Sequence, residues 1–361
     1  MYQDIINTLN GYRQTLEVVA RLLMSGQMAL RKLAVVPVNL GAGLINRPPP
    51  FMPPVLQLDI TDRCNLQCPG CLTGMGYNRS GQGMMPFTTF QSLIDETAPS
   101  TAVVVLYNSG EPLLHPDAPR MIRHLTRHRI ASIISTNGHF INTREKAEEL
   151  VKAGLSVMVV SLSGATQKTY ELYHRGGRLE QVLNGVRYIT EARARLKTKT
   201  PLVIFRFLIM DHNLHETAAM KSMAKSAGCD WHEFRKVNWR ACVVEPPPES
   251  VPDALMLPGR AKNRHCLWPW LISVVNRDGK AYPCCFYRLD LPCMGDTTAE
   301  GGLRAVWKNN AYNRFRVKMR TGIDRPAACR DCPAETGFQT RFSSRKRTVY
   351  LYSKNRENGN F

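Results

Sequence analysis

Between Val55 and Val237, six short apolar runs alternate with stretches patterned as helices, and no other feature of the chain limits its fold as tightly. The runs are 55–61, 102–107, 131–136, 156–162, 202–209 and 231–237. Helices are predicted over 87–97, 119–128, 144–153, 179–195 and 216–227, where apolar residues recur at three-and-four spacing. Strands separated by helices are joined by crossovers, so they run parallel and are covered by those helices. Six such units with right-handed crossovers predict an α/β fold, a partial (β/α)6 TIM-like barrel whose functional rim lies at the carboxyl ends of its strands.

The unusual residues fall at those ends. After the first run, Asp62-Arg63-Cys64-Asn65-Leu66-Gln67-Cys68-Pro69-Gly70-Cys71 forms a C-x3-C-x2-C loop. Three thiolates on one tight loop can bind three irons of a [4Fe-4S] cluster and leave the fourth iron open to a substrate or cofactor. A zinc loop completed by a distant ligand is the alternative on spacing alone. After the second run comes Asn108-Ser109-Gly110-Glu111-Pro112, and Ser135 precedes Asn137-Gly138 after the third. Ser161-Leu162-Ser163-Gly164 closes the fourth run, and His174-Arg175-Gly176-Gly177 follows. Taken singly, each is ordinary turn chemistry, because Gly and Asn tolerate left-handed backbone. Together on one rim they frame a site.

From Val55 to Val237 these ordered motifs resemble the radical S-adenosylmethionine (SAM) enzymes. The resemblance implies that Cys64, Cys68 and Cys71 hold a [4Fe-4S] cluster whose open iron is chelated by SAM. It implies reductive cleavage of SAM to a 5′-deoxyadenosyl radical that abstracts a substrate hydrogen atom, with electrons from a donor such as flavodoxin or ferredoxin. Gly110 and Glu111 match the motif that receives the SAM amine, Ser161 a SAM contact on the fourth strand, and Arg175 the partner of the SAM carboxylate. Ser135 and Asn137 are further candidate contacts. The chain departs from the pattern twice: Gly70 stands where an aromatic is usual, and Ser163 where an aspartate is usual.

Eleven cysteines are many for 361 residues, and six of them fall between Cys266 and Cys332. Leu271–Val275 and Lys280–Tyr282 flank Asn276-Arg277-Asp278-Gly279, which predicts a β-hairpin with an Asp-Gly turn. That hairpin would bring Cys266 near Cys284. A helix is predicted through Leu303, Val306, Trp307 and Phe315, and Cys329-Arg330-Asp331-Cys332 closes the region. Four thiolates suit zinc as well as a cluster. The stretch from Cys266 to Pro333 resembles the SPASM-type domain, which implies one auxiliary [4Fe-4S] cluster on Cys266, Cys284, Cys329 and Cys332, with Cys285 and Cys293 as substitutes.

The reading divides the chain into an N-terminal helical appendage (1–50), the barrel (51–245), a linker (246–262), the auxiliary domain (263–336) and a basic tail (337–361). In the appendage, Ile5, Leu9, Tyr12, Leu16, Val19 and Leu23 trace an amphipathic helix that either packs on the barrel or rests on a bilayer. A second helix is predicted over 28–36, and the prolines from Pro48 to Pro54 mark a stiff linker. No signal segment opens the chain, so a cytoplasmic protein is expected, with a peripheral contact at the membrane's cytoplasmic face as an added reading.

A net charge of +19 fits a phosphorylated or anionic partner without choosing one. An RNA-modifying enzyme is disfavoured, because no RNA-binding module is legible in the chain. The expected function is a radical SAM enzyme that oxidises, epimerises or couples a small-molecule, sugar or lipid-linked substrate. A peptide maturase and a non-enzymatic metal-binding protein are the other readings. Cys242, after the sixth strand, is the candidate hydrogen donor for an epimerisation.

Overall fold

The computed structural model describes residues 16–76, 83–236, 266–286, 291–330 and 352–354. Strands β1 (Val55–Leu58), β2 (Val103–Val105), β3 (Ala131–Thr136), β4 (Val157–Leu162), β5 (Leu202–Ile209) and β6 (Trp231–Lys236) lie side by side in chain order, every neighbouring pair parallel. The crossover helices Phe87–Thr97, Arg144–Ala153 and Leu179–Arg195 match the predicted bounds, and Ala118–Arg127 and Thr217–Ser226 differ by one residue at each end. A further helix, Gln167–Tyr173, was not expected. It is too short for periodicity to reveal it and is set by its cap: the Thr166 hydroxyl accepts from Thr169 N, and Thr169 answers in a capping box.

The pleat of the strands separates two layers. Outward residues such as Leu58, Val104, Ile134, Val160 and Phe205 join Phe90, Met121, Leu150 and Val186 of the helices in one buried core. Inward residues at the base, including Ala131, Val157, Leu202 and Trp231, pack instead on Leu22 and Met28. Residues 16–24 form a helix that closes this end of the barrel, so the packed reading of the amphipathic start holds for the described part of it. Gln27 Nε2 donates to Thr200 Oγ1 at 2.8 Å. Lys32, 1% exposed, donates to the His128 carbonyl at 2.7 Å, and burial followed by the charge of Arg31 pulls its pKa down to about 8. The second predicted helix is split into Leu30–Leu33 and Val35–Leu44. None of the described helices is long and apolar enough to cross a membrane.

The proline run is docked rather than free. The Phe51 carbonyl accepts from Trp307 Nε1 at 3.0 Å, and the Pro54 carbonyl accepts from Ala102 N at 2.8 Å. The predicted hairpin is present as β7 (Ile272–Val275) and β8 (Lys280–Tyr282), with Gly279 at φ +79° in its turn. β7 pairs in parallel with β1, so the hairpin and β9 (Gly295–Asp296) continue the barrel's own sheet at its first edge. β10 (Tyr352–Lys354), the described part of the basic tail, pairs antiparallel with β6 at the other edge. The linker at 246–262 lies outside the described residues.

The helix predicted through Leu303–Phe315 is two helices, Gly302–Lys308 and Asn310–Thr321. Asn309 adopts extended backbone and caps the second by accepting from Tyr312 N at 2.8 Å. Trp307 is fully buried, and the Arg316 guanidinium lies 4.3 Å from the Trp307 ring centroid and 4.3 Å from that of Tyr312. Trp307→Ala would open a cavity, strip the cover from this buried guanidinium and leave the Phe51 carbonyl without its donor. A loss of roughly 3–5 kcal/mol is expected, read as a lower denaturant midpoint at unchanged slope.

Candidate active site

The cysteine loop leaves β1 through Asp59–Arg63 and is held in place by neighbouring backbone. Asp59 accepts from Ser109 N at 3.1 Å and Ser109 Oγ at 2.8 Å, which draws the segment after β2 against the segment after β1. Gly110 then passes so close that a Cβ would stand 2.3 Å from the Thr61 carbonyl oxygen and 2.7 Å from that of Arg63. Only glycine fits there. The next amide, Glu111 N, donates to the Arg63 carbonyl at 2.8 Å.

The Glu111 side chain turns inward and is 2% exposed. One carboxylate oxygen accepts from Thr136 Oγ1 at 2.7 Å and Leu113 N at 3.0 Å, and the other from Asn137 N at 2.7 Å. Burial pushes this carboxyl up to about 7, against the downward pull of the three donors. The oxygen with a single donor keeps a lone pair for a cation.

Asn137 carries the connection onward. Its Nδ2 donates to Asn65 Oδ1 at 2.8 Å and lies 3.8 Å from Cys64 Sγ. His139, which the sequence reading did not single out, holds that amide in place. Arg178 N donates to His139 Nε2 at 2.8 Å, so the ring proton sits on Nδ1, which faces Asn137 Oδ1 at 3.0 Å. Burial lowers the His139 pKa, so the ring stays neutral. The only signal for it in the sequence is its place two residues after Asn137.

Arg175 meets the loop from the other side. Its carbonyl accepts from Gln67 N at 3.1 Å, while its side chain is exposed and makes no hydrogen bond or ion pair among the described residues. The neighbouring His174 is buried, stacks on Tyr170 at 4.8 Å, and places Nδ1 2.5 Å from Ser163 Oγ. Ser163 donates its own proton to the Tyr170 carbonyl at 3.0 Å, so the Nδ1–H bond must come from His174. Burial drives the His174 pKa down to about 3, and the imidazole is neutral. Ser163 itself is fully buried. The missing aspartate at 163 therefore bears on the loop carrying Arg175 and not on the barrel lumen. The other departure also has a local cause: Gly70 sits at φ +74°, where an aromatic side chain would be strained. Ser135 and Ser161 face each other on β3 and β4, Oγ to Oγ at 3.5 Å.

Burial pushes the Cys64 thiol up to about 11 and raises Cys68 well above its ordinary value, and each is raised further by the Cys71 thiol. Three thiolates crowded in this way repel one another, and a cationic group bound between them relieves both costs. Among the described residues, no three cysteines bring their sulfurs within 4.8 Å of one another, as ligands of a single tetrahedral ion would. The donor set fits a multi-iron cluster better than one zinc.

In the second set, Cys266, Cys284, Cys285 and Cys329 are half-buried, and Cys266, Cys284 and Cys329 pack against the main core. Contact with the Cys285 thiol, against the cost of burial, lowers the Cys284 pKa and favours its thiolate. Cys293 is exposed, with its thiol 3.5 Å from the Gly295 carbonyl. Cys332 and Cys242 lie outside the described residues. Two contacts tie this region to the barrel rim, one at the cysteine loop and one at the segment after β2. Arg277 Nε in the hairpin turn donates to Asp62 at 2.8 Å, and Asn108 Nδ2 donates to the Cys285 carbonyl at 3.2 Å. No spacing rule pairs residues so far apart in the chain, and the sequence reading missed both.

A parallel-strand barrel with three cysteines after its first strand, and a cysteine-bearing hairpin on its edge, defines an iron-sulfur enzyme of the radical SAM class. Residues 58–217 match the model of the radical SAM superfamily, and residues 266–333 match that of an iron-sulfur cluster-binding domain of the SPASM type. The chain belongs to the radical SAM superfamily and carries a SPASM domain. A [4Fe-4S] cluster, SAM and an auxiliary cluster are the cofactors that go with these domains.

The chain is similar to two named proteins and shares its fold with a solved structure. It is 28% identical over 167 residues to the Fe-coproporphyrin III synthase of Methanosarcina barkeri, covering 46% of this chain and 40% of that protein. The mycofactocin maturase MftC of Mycobacterium ulcerans is 22% identical over 317 residues, 78% of this chain and 80% of that one. The Streptococcus suis SuiB structure bound to precursor peptide SuiA superposes with a TM-score of 0.57 at 13% identity, over 82% of this chain and 72% of that one. The chain spans about half the length of the curated relatives it matches at higher identity.

Proposed function

We propose that this chain binds SAM at the open side of a cluster on Cys64, Cys68 and Cys71 and uses it to abstract a hydrogen atom from a substrate in the barrel lumen. The observation that carries this reading is that Gly110, Glu111 and Arg175 meet the backbone of one cysteine loop while Asn137 meets its Asn65 and Cys64 side chains. When bound, the cluster supplies the electron that cleaves SAM to methionine and a 5′-deoxyadenosyl radical. The chain's own residues orient the cofactor. Glu111 would offer its remaining lone pair to an N–H of the SAM amine, the exposed Arg175 fork suits the carboxylate, and Ser135 and Ser161 line the lumen as hydroxyl contacts. Cys266, Cys284, Cys329 and Cys332 would hold the auxiliary cluster, an acceptor for an electron from the substrate radical.

The substrate is proposed to be a small molecule, free or joined to a sugar or lipid. A peptide substrate is the second reading, favoured by the 80% coverage of a relative named as a mycofactocin maturase and by the shared fold of SuiB, whose structure holds a precursor peptide. Transfer of deuterium from labelled substrate into 5′-deoxyadenosine tests the abstraction step directly. Unlabelled 5′-deoxyadenosine formed at full rate beside every candidate would exclude it for those compounds.

The position of Glu111 sets the pH dependence of SAM binding. Its folded-state pKa lies above the ordinary carboxylate value, so the carboxyl is mostly protonated at pH 6 and half-ionised near pH 7. The ionised form is the better acceptor for the amine N–H, so this group should raise SAM affinity by about fivefold between pH 6 and pH 7. In Glu111→Gln the affinity should fall by roughly 10- to 100-fold and the slope over this window should lose the contribution of this carboxyl. Equilibrium binding of SAM to reconstituted protein at the two pH values checks both outcomes.

A further inference from the structure

The barrel lumen carries a charged row that the cysteine loop does not use. On β5, Val203, Phe205, Phe207 and Ile209 pack outward against the helices, so Arg206 faces inward. Strand register places it beside Ser161 of β4 and Glu233 of β6. Ser161, Arg206 and Glu233 thus line up across three neighbouring strands, and Ser135 Oγ on β3 lies 3.5 Å from Ser161 Oγ. Arg206 Nε donates to one oxygen of Glu233, and Arg235 Nη2 donates to the other at 3.0 Å. Burial alone would raise the Glu233 pKa, but the guanidiniums of Arg206 and Arg235 hold it at about 2. Glu233 is a permanent anion that fixes the inner edge of Arg206.

The outer edge of Arg206 is different. Its two Nη nitrogens make no hydrogen bond among the described residues, and 21% of its side chain remains exposed in the lumen. Tyr107, at the end of β2, is close enough to act on the guanidinium electrostatically. An ion pair sunk into a barrel is poor value as a source of stability, since apolar residues of like volume do as well. A guanidinium anchored through Nε and open at both Nη atoms is a preorganised fork for two coplanar oxygens.

We propose that Arg206 binds an oxyanion of the substrate, a carboxylate or a phosphate, in the lumen beside Ser161. The assignment of that anion to the substrate rests on the radical SAM reading above, while the oxyanion site itself does not. It narrows the substrate to a molecule carrying an acidic group a short reach from the carbon that loses hydrogen.

The test uses protein with both clusters reconstituted and SAM at saturation. Phosphate and malonate are titrated separately and followed by calorimetry. Wild type is compared with Arg206→Met and with Arg206→Met/Glu233→Gln, which removes the buried charge that the single variant leaves behind. One dianion should bind wild type at one per chain, with at least a tenfold loss of affinity in the double variant. Preference for phosphate marks a phosphorylated substrate, and preference for malonate a carboxylated one. If neither binds at one per chain, or the double variant binds like wild type, the proposal is wrong. If the double variant loses affinity for SAM in place of the dianion, Arg206 grips the SAM carboxylate and the proposal is equally wrong. Formation of 5′-deoxyadenosine by wild type tests the parent reading separately. A wild type that cleaves SAM but ignores both dianions loses only this proposal, and one that binds a dianion without cleaving SAM loses only the parent reading.

Discussion

Replacing Cys68 with alanine should take 5′-deoxyadenosine formation from SAM below detection while the second cysteine set keeps its iron. Cys68 is the middle donor of the loop, and its thiol is raised both by burial and by its two neighbours. Its loss leaves two ligands on a loop whose backbone is already held by the Arg175 carbonyl and the Glu111 amide, so no other side chain is expected to take its place. Iron and sulfide per chain should drop by about half, from roughly eight to roughly four irons. A zinc site would lose zinc instead and leave iron unchanged. Anaerobic reconstitution followed by metal and sulfide analysis separates the two outcomes, and a variant with full iron and full SAM cleavage would contradict the ligand assignment.

The second large effect is expected at Gly110→Ala. The added methyl would meet two carbonyl oxygens at 2.3 and 2.7 Å. Neither can retreat alone. Thr61 pairs across to Met84, and the Arg63 carbonyl is bonded to Glu111 N. The strain falls at or above the top of the roughly 1–3 kcal/mol usual for overpacking. It is relieved only by moving the entry to the cysteine loop or the Glu111 turn. The thermal midpoint should fall by several degrees, and iron retained at the loop should fall with it. Alanine at Gly176, where a Cβ would meet nothing within 4 Å, tests loop crowding as a control, although its φ of +80° still carries backbone strain. Equal iron loss in the two variants would argue against the steric account.

Much of the barrel was legible because its signals are local. The Arg144–Ala153 helix is bounded by a Thr143 cap and by Gly154 in left-handed backbone, and both are visible in the sequence. The order of the rim motifs placed Cys64, Gly110, Asn137 and Arg175 on one edge before any coordinates. What escaped depends on tertiary packing. The burial of Glu111 and the Asn137–His139–Arg178 chain follow from how β3 meets the segment after β2. The break at Asn309 turns on a single cap. The proline run reads as a linker because nothing local announces that Trp307, more than 250 residues later, will donate to Phe51. Arg206 and Glu233 look like polar interruptions in two strands until register sets them side by side.

Cleavage of SAM itself tests the central claim most directly. Protein reconstituted without oxygen, given SAM and dithionite, should yield 5′-deoxyadenosine and methionine in equal amounts, and the yield should vanish when Cys64, Cys68 or Cys71 is replaced. A preparation with its full complement of iron and sulfide that binds SAM yet forms no 5′-deoxyadenosine would contradict the account.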